Sequence, residues 1–177
     1  RMAMKGENGS IPAFARDILR TLEAAGSEAY CVGGCVRDTL LGRTPGDWDI
    51  TTSARPEETL ALFGADALPT GLRHGTVTVR RPDGSAEVTT FRRDGDYTDH
   101  RHPESVAFTD SLTEDLARRD FTVNAMALSL RGELRDPFHG REDLAAGRIR
   151  CVGEPARRFG EDALRILRGL RFAAVLG

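Results

Sequence analysis

Residues 33–53 read GGCVRDTLLGRTPGDWDITTS, and the rest of the chain is organised around them. A short apolar run, Ala29 to Val32, leads into Gly33 and Gly34, and Val36 to Leu41 then suits a short helix ended by Gly42. Strand, glycine turn and helix start is an order that aims backbone N–H groups at an anion. Arg37, in the first turn of that helix, adds a planar fork for phosphate oxygens. Asp38 reads as a brace for the turn. A Gly-Gly turn alone is also compatible with a simple tight turn.

The same stretch ends in Asp47-Trp48-Asp49-Ile50, acids alternating with apolar residues. Residues two apart on a strand share a face. Both carboxylates therefore point one way, roughly 7 Å apart along the backbone, with Trp48 and Ile50 turned into the core. Two such carboxylates repel unless a cation sits between them; the plain alternative is an edge strand with two surface acids. A phosphate turn and a metal pair in one stretch suggest a site for a nucleoside triphosphate and metal-assisted chemistry on it.

Working outward, Ser10 to Ala25 reads as a packing helix, with Ser10 as N-cap, Pro12 in the first turn and Gly26 as the stop. Its stripe is Ile11, Phe14, Ala15, Ile18, Leu19 and Leu22. After the central stretch, Ser53 suits the cap of a helix from Arg55 to Phe63, followed by a loop of small residues. Thr76 to Arg80 and Ala86 to Arg92 form a hairpin about Pro82-Asp83-Gly84. Glu87 lies inside the second strand. It is either a solvent-facing acid or a third carboxylate facing Asp47 and Asp49. Asp94 to Asp110 has no periodicity and is long for an internal loop; His100 and His102 within it lack further metal ligands and read as loop residues.

Ser111 and Glu114 form a capping box for a helix through Leu116. Arg118 and Arg119 are adjacent, so on a helix they diverge by about 100°: one can reach a ligand while the other pairs locally. Asn124 can hydrogen-bond a sugar or phosphate. Leu128 to Leu134 reads as strand and turn, and Asp136-Pro137 closes the first unit. Gly140 to Ala146 is a short helix. From Glu161 to Leu176, Ala163, Ile166, Leu167, Leu170 and Ala174 share one helical sector while Arg165, Arg168 and Arg171 share the opposite one. Residues 157–171 hold five arginines against two acids, a basic patch able to face an anion. Asp162 and Arg165, three apart, are either an intrahelical ion pair or two hydrogen-bonding edges for a base.

The totals bound these readings. The chain has 177 residues, 40% apolar and 29% charged, ordinary for one globular core and a small appendage. No run approaches the roughly 18 apolar residues of a membrane span. Residues 1–9 read as a disordered arm or an expression scar, without a signal peptide. Three cysteines, Cys31, Cys35 and Cys151, fit small buried residues in a reducing cytoplasm better than disulfides or zinc ligands. The net charge of −2 is not the bulk signature of a nucleic-acid binder, so such a partner needs the local arginine patch or further chain. The final RFAAVLG, directly after an amphipathic helix, reads as the end of a fragment.

Together, YCVGGCVRDTLLG…GDWDITTS, EVTTFR, LARRDFTVNAMAL, DPFHGREDL and RRFGEDALRILRGLRFAAVLG resemble one family in content and order: the class II tRNA nucleotidyltransferases and bacterial poly(A) polymerases. The resemblance implies an α+β fold of the DNA polymerase β-like nucleotidyltransferase type, a mixed sheet flanked by helices. It implies a catalytic head over residues 10–139 and a truncated start of a helical neck over residues 140–177. Asp47 and Asp49 would bind Mg²⁺, with Glu87 the third catalytic carboxylate. Gly34 and Arg37 would bind triphosphate, with Gly33 shaping the turn. Arg119 would contact the nucleotide, supported by Asp120 and Asn124. Asp162 and Arg165 would read the base of incoming CTP or ATP, Arg168 and Arg171 would extend that face, and the Asp94–Asp110 loop would assist the switch from C to A. The implied reaction is two-metal transfer of CMP and AMP to the tRNA 3′ end with release of pyrophosphate. No protein partner is evident, and this chain alone is expected to bind nucleotide without extending tRNA. CCA addition leads. A-adding, CC-adding and poly(A)-forming enzymes are alternatives within the class, and a non-catalytic nucleotide- or RNA-binding module is the alternative outside it.

Overall fold

A computed structural model describes residues 11–94 and 107–153. Chain order is α1 (Ala13–Ala24), β1 (Ala29–Val32), α2 (Gly34–Leu40), β2 (Asp49–Thr52), α3 (Pro56–Phe63), β3 (Ala67–Gly71), β4 (Thr76–Arg81), β5 (Gly84–Thr90), β6 (Arg92–Arg93), β7 (Ala107–Phe108), α4 (Leu112–Ala117), β8 (Ala127–Leu128), β9 (Leu134–Arg135) and α5 (Gly140–Ala145). Among the described residues seven strands form one sheet in the order β3-β4-β5-β2-β1-β8-β9, and β6 pairs with β7 separately. β2 and β5 run parallel; the other pairs are antiparallel. The chain is thus α+β with a mixed sheet, as expected.

Alternation along β1 divides the core. Cys31 joins α1, Trp48, Ile50 and the apolar residues of β4 and β5 in one cluster. Its neighbour Val32 joins Leu116, Ala125, Ala127 and Val152 in another. The stripe of α1 supplies Ala15, Ile18, Leu19 and Leu22 to the first cluster, with Ile11 just before the helix; burying each of the larger ones contributes about 1.5–3 kcal/mol. Phe14 lies over the hairpin turn so closely that a Cβ on Gly84 would sit 2.5 Å from its ring. Gly84 is required there by contact.

Several local expectations change. Ser10 lies outside the described residues; α1 begins at Ala13, with Pro12 as its N-cap. Ser53 does not cap α3. Arg55 holds that position, because the Ser53 hydroxyl accepts the Glu28 N–H at 2.9 Å across the β1–β2 end. The expected small-residue loop contains β3, an edge strand, where Pro69 is tolerated because one side of the strand makes no ladder bonds. The second hairpin strand breaks at Phe91, whose N–H turns to Thr52 O at 2.8 Å, and Arg92–Arg93 pairs instead with Ala107–Phe108 at the far end of the long loop. The Ser111 cap holds: its hydroxyl accepts the Glu114 N–H at 3.2 Å. The return arm of the capping box runs through Thr109, which donates to Glu114 and accepts the Ser111 N–H.

Candidate active site

The quoted stretch builds β2, the central strand of the sheet, and the turn that enters α2 beside it. Gly33 is the N-cap of α2 at φ 80°, a conformation that favours glycine. It also leaves room: a Cβ there would come 3.3 Å from Arg119 Nη1. A Cβ on Gly34 would lie 3.4 Å from the Arg37 guanidinium. Arg37 is held at both ends of its fork, donating Nε to Asp38 at 3.0 Å and Nη1 to Asn124 Oδ1 at 2.9 Å. Asp38 therefore braces the arginine as well as the turn. Asn124 in turn donates to Asp120 Oδ1 at 3.4 Å, an oxygen that also accepts the Phe121 N–H at 2.8 Å.

The carboxylates stand beside that turn, at the start of β2 and across from it on β5. The hydrogen-bonded strand starts at Asp49, two residues later than the alternation suggested, but burial alternates from Asp47 onward: Trp48 and Ile50 are buried, Asp47 and Asp49 exposed. The Glu87 N–H donates to Trp48 O, extending the pairing back to that residue. In the parallel β2–β5 ladder Asp49 stands directly opposite Glu87. That register brings together two acids 38 positions apart, which neither stretch alone can specify.

The electrostatics record the crowding. Burial pushes the Asp49 carboxyl above its ordinary range, and Glu87 and Asp47 push it further, while Arg119 draws it down. Its rim stays open to solvent. Among the described residues no three acid, histidine or cysteine side chains are gathered into a ready metal cage. The set fits a divalent ion as an open, solvent-facing group: the donors are hard carboxylate oxygens, they repel one another, and Mg²⁺ is commonly held by one or two carboxylates with water and substrate phosphates completing its shell.

Arg118 and Arg119 do diverge. Arg118 pairs with Asp94 at 3.3 Å, while Arg119 lies beside Gly33 and pairs with Asp115 at 3.6 Å. Asp115, absent from the sequence reading, is 3% exposed. Its signal was its position: an acid at i+3 from Leu112 and next to Leu116, inside the apolar stripe of α4. The structure thus gathers Gly33, Gly34, Arg37, Asp120, Asn124 and Arg119 beside Asp47, Asp49 and Glu87. Asp162, Arg165, Arg168 and Arg171 lie outside the described residues, as do His100, His102 and most of the long loop.

Below the Asn124 segment, Thr122 donates to the buried Asp143 of α5 at 2.6 Å. Backbone bonds from Thr122 to Arg150 and from Val152 to Asp120 tie residues 120–122 to the chain after α5. Asp136 accepts the Gly140 and Arg141 N–H groups at 2.7 and 3.0 Å, capping α5.

A sheet with paired acids at the start of β2, a facing acid on β5 and a glycine turn entering α2 defines a nucleotidyltransferase head of the polymerase β-like type. The chain belongs to the poly A polymerase head domain family, whose model matches residues 29–150. It is 54% identical to the CCA-adding enzyme of Oceanobacillus iheyensis over 163 residues, 92% of this chain and 40% of that one. It is 55% identical to the CCA-adding enzyme of Lactobacillus helveticus over 162 residues, again 92% of this chain and 40% of that one. The structure superposes on Bacillus stearothermophilus CCA-adding enzyme in complex with CTP at a TM-score of 0.81, with 47% identity, covering 96% of this chain and 39% of that one. A tRNA nucleotidyltransferase complexed with a primer tRNA and an incoming ATP analog matches at 0.71 with 36% identity, covering 88% and 44%. The chain spans about 40% of the length of these curated relatives. Nucleotidyltransferases of this kind generally use divalent metal ions. No described helix is long and apolar enough to cross a membrane.

Proposed function

We propose that this chain is the catalytic head, with the first part of the neck, of an enzyme that adds CMP and AMP from CTP and ATP to the 3′ end of tRNA without a nucleic-acid template. The observation that carries the reading is the register placing Asp49 against Glu87, with Arg119 drawing on the same carboxylate. Asp47 and Asp49 would hold Mg²⁺, with Glu87 as the third carboxylate. When bound, the metal would favour ionisation of the RNA 3′-hydroxyl and offset charge on the departing pyrophosphate.

The chain's own groups do the rest. The Gly33-Gly34 turn lets a triphosphate approach the backbone closely. Arg37, held by Asp38 and Asn124, presents a fixed guanidinium to phosphate oxygens, and Asp120 keeps Asn124 in place. Arg119 adds charge where the triphosphate meets the carboxylate edge, stabilising charge that develops during transfer. Residues 10–139 would form the head and the neck would start at Gly140, its first helix keyed to the head by Thr122 and Asp143. On the neck, Asp162 and Arg165 would select the base, and Arg168 and Arg171 would extend the nucleotide face. The enzyme would work in the cytoplasm, where tRNA is its substrate.

The test is to incubate the full-length protein with tRNAs ending before CCA, after CC and after CCA, with CTP and ATP supplied separately, and to sequence the products. CCA addition requires C, C and A in turn and then a stop. The family model's description names poly(A) polymerases, and long A tracts on any RNA end would favour that second reading instead.

A further inference from the structure

We propose that Asp115 is a positioning residue for nucleotide binding: it holds the Arg119 guanidinium against the strand that carries Asp49. Asp115 is 3% exposed, and a buried carboxylate persists only when donors surround it. Its donors come from three places. Oδ1 accepts the Arg92 N–H of β6 at 2.8 Å. Oδ2 accepts the Thr51 hydroxyl of β2 at 3.0 Å and faces Arg119 Nη2 at 3.6 Å. Thr51 is two residues from Asp49 on the same strand. One side chain thus ties the metal-facing strand, the start of the long loop and the nucleotide-facing arginine.

The surrounding charge explains the need for such an anchor. Burial and the neighbouring Arg118 and Arg119 push the Arg92 guanidinium below its ordinary range, with Asp115 opposing. Arg118 is drawn off toward Asp94. Asp115 is a buried carboxylate that meets both Arg92 and Arg119, and its contact with Arg119 helps fix where that guanidinium rests before any ligand arrives. The benefit is preorganisation: the arginine need not be ordered at the moment of binding.

This inference rests on the reading that Arg119 meets nucleotide, and the test separates the two. In the full-length protein, the affinity for a non-hydrolysable CTP analogue with Mg²⁺ is measured for wild type, Asp115→Asn, Arg119→Ala and the double variant. Asn retains the shape and an acceptor for Arg92 but loses the charge that holds Arg119. The expected result is about tenfold weaker binding in Asp115→Asn, a larger loss in Arg119→Ala, and no further loss in the double variant. Losses that multiply, or unchanged affinity in Asp115→Asn, overturn the proposal, since a merely structural acid acts independently of Arg119.

Thr51→Val retains the branched shape and guards against misfolding of Asp115→Asn. It should weaken binding about twofold, and not at all in the Arg119→Ala background. A ligand-free readout is the NMR order of the Arg119 Nε–Hε group, expected to be rigid in wild type and mobile in Asp115→Asn. Equal order in both overturns the positioning role. Loosening of Arg119 in a protein that binds no nucleotide would instead sustain the anchor and overturn the nucleotide reading.

Discussion

Two groups of aspartates in this molecule are treated in opposite ways. At the start of β2, Asp47 and Asp49 stand beside Glu87, and burial together with these like charges pushes the Asp49 carboxyl up. Beneath the Asn124 segment and at the root of α5, Asp143 and Asp136 are matched by donors: a threonine hydroxyl for one and two backbone N–H groups for the other. The second group holds the fold together. The first is set against itself, an arrangement in which a cation would relieve the repulsion. Acids with their donors supplied by the protein and acids without them are therefore different evidence, even when the sequence shows the same letter.

The largest effect is expected at Gly140, where α5 meets the Thr122 turn. A Cβ there would stand 2.0 Å from Thr122 O, backbone that cannot swing aside, so Gly140→Ala should cost about 3 kcal/mol, read by urea unfolding. Unchanged stability would mean that α5 is not seated on the Thr122 turn. Asp143→Ala should cost about 2 kcal/mol, because the Thr122 hydroxyl is left buried without its acceptor; a loss under a few tenths would place Asp143 with the surface acids.

The acids at the start of β2 should respond with the opposite sign. Because the Asp49 carboxyl is raised in the folded protein, its ionised form subtracts stability above that raised value and nothing below the unfolded value of about 3.9. In EDTA, Asp49→Asn should therefore raise Tm at pH 7, and the gain should fade as pH drops toward 4. A lowered Tm at pH 7, or a gain independent of pH, would remove the distinction between the two groups. The smallest effect is expected at the thiols. Burial pushes both Cys31 and Cys35 up, and Cys35 Sγ already donates to Val32 O at 3.2 Å, so iodoacetamide at pH 8 should leave both unlabelled until the protein unfolds.

How much of this was legible in the sequence depended on how local the cause was. The strand-turn-helix at Gly33, the alternation at Asp47–Ile50 and the Ser111 cap depend on neighbours a few residues away, and all are found. β3 was missed because Pro69 and Gly71 read as loop; only its place at the sheet edge makes that composition acceptable. The facing of Glu87 and Asp49 needed the parallel β2–β5 register, a tertiary fact. Asp115 was passed over because an acid in the first turns of a helix is ordinarily explained by the helix dipole, and its burial depends on β2 and β6 closing over it.

The most direct test of the account is Mg²⁺-dependent incorporation of CMP into a tRNA lacking its 3′ CCA, by the full-length protein, comparing wild type with Asp47→Ala. Wild type should incorporate CMP and stop on chelation, and the variant should lose at least about a thousandfold, about 4 kcal/mol of transition-state stabilisation. Incorporation by Asp47→Ala at the wild-type rate would contradict the assignment of the acids at the start of β2 as the metal site.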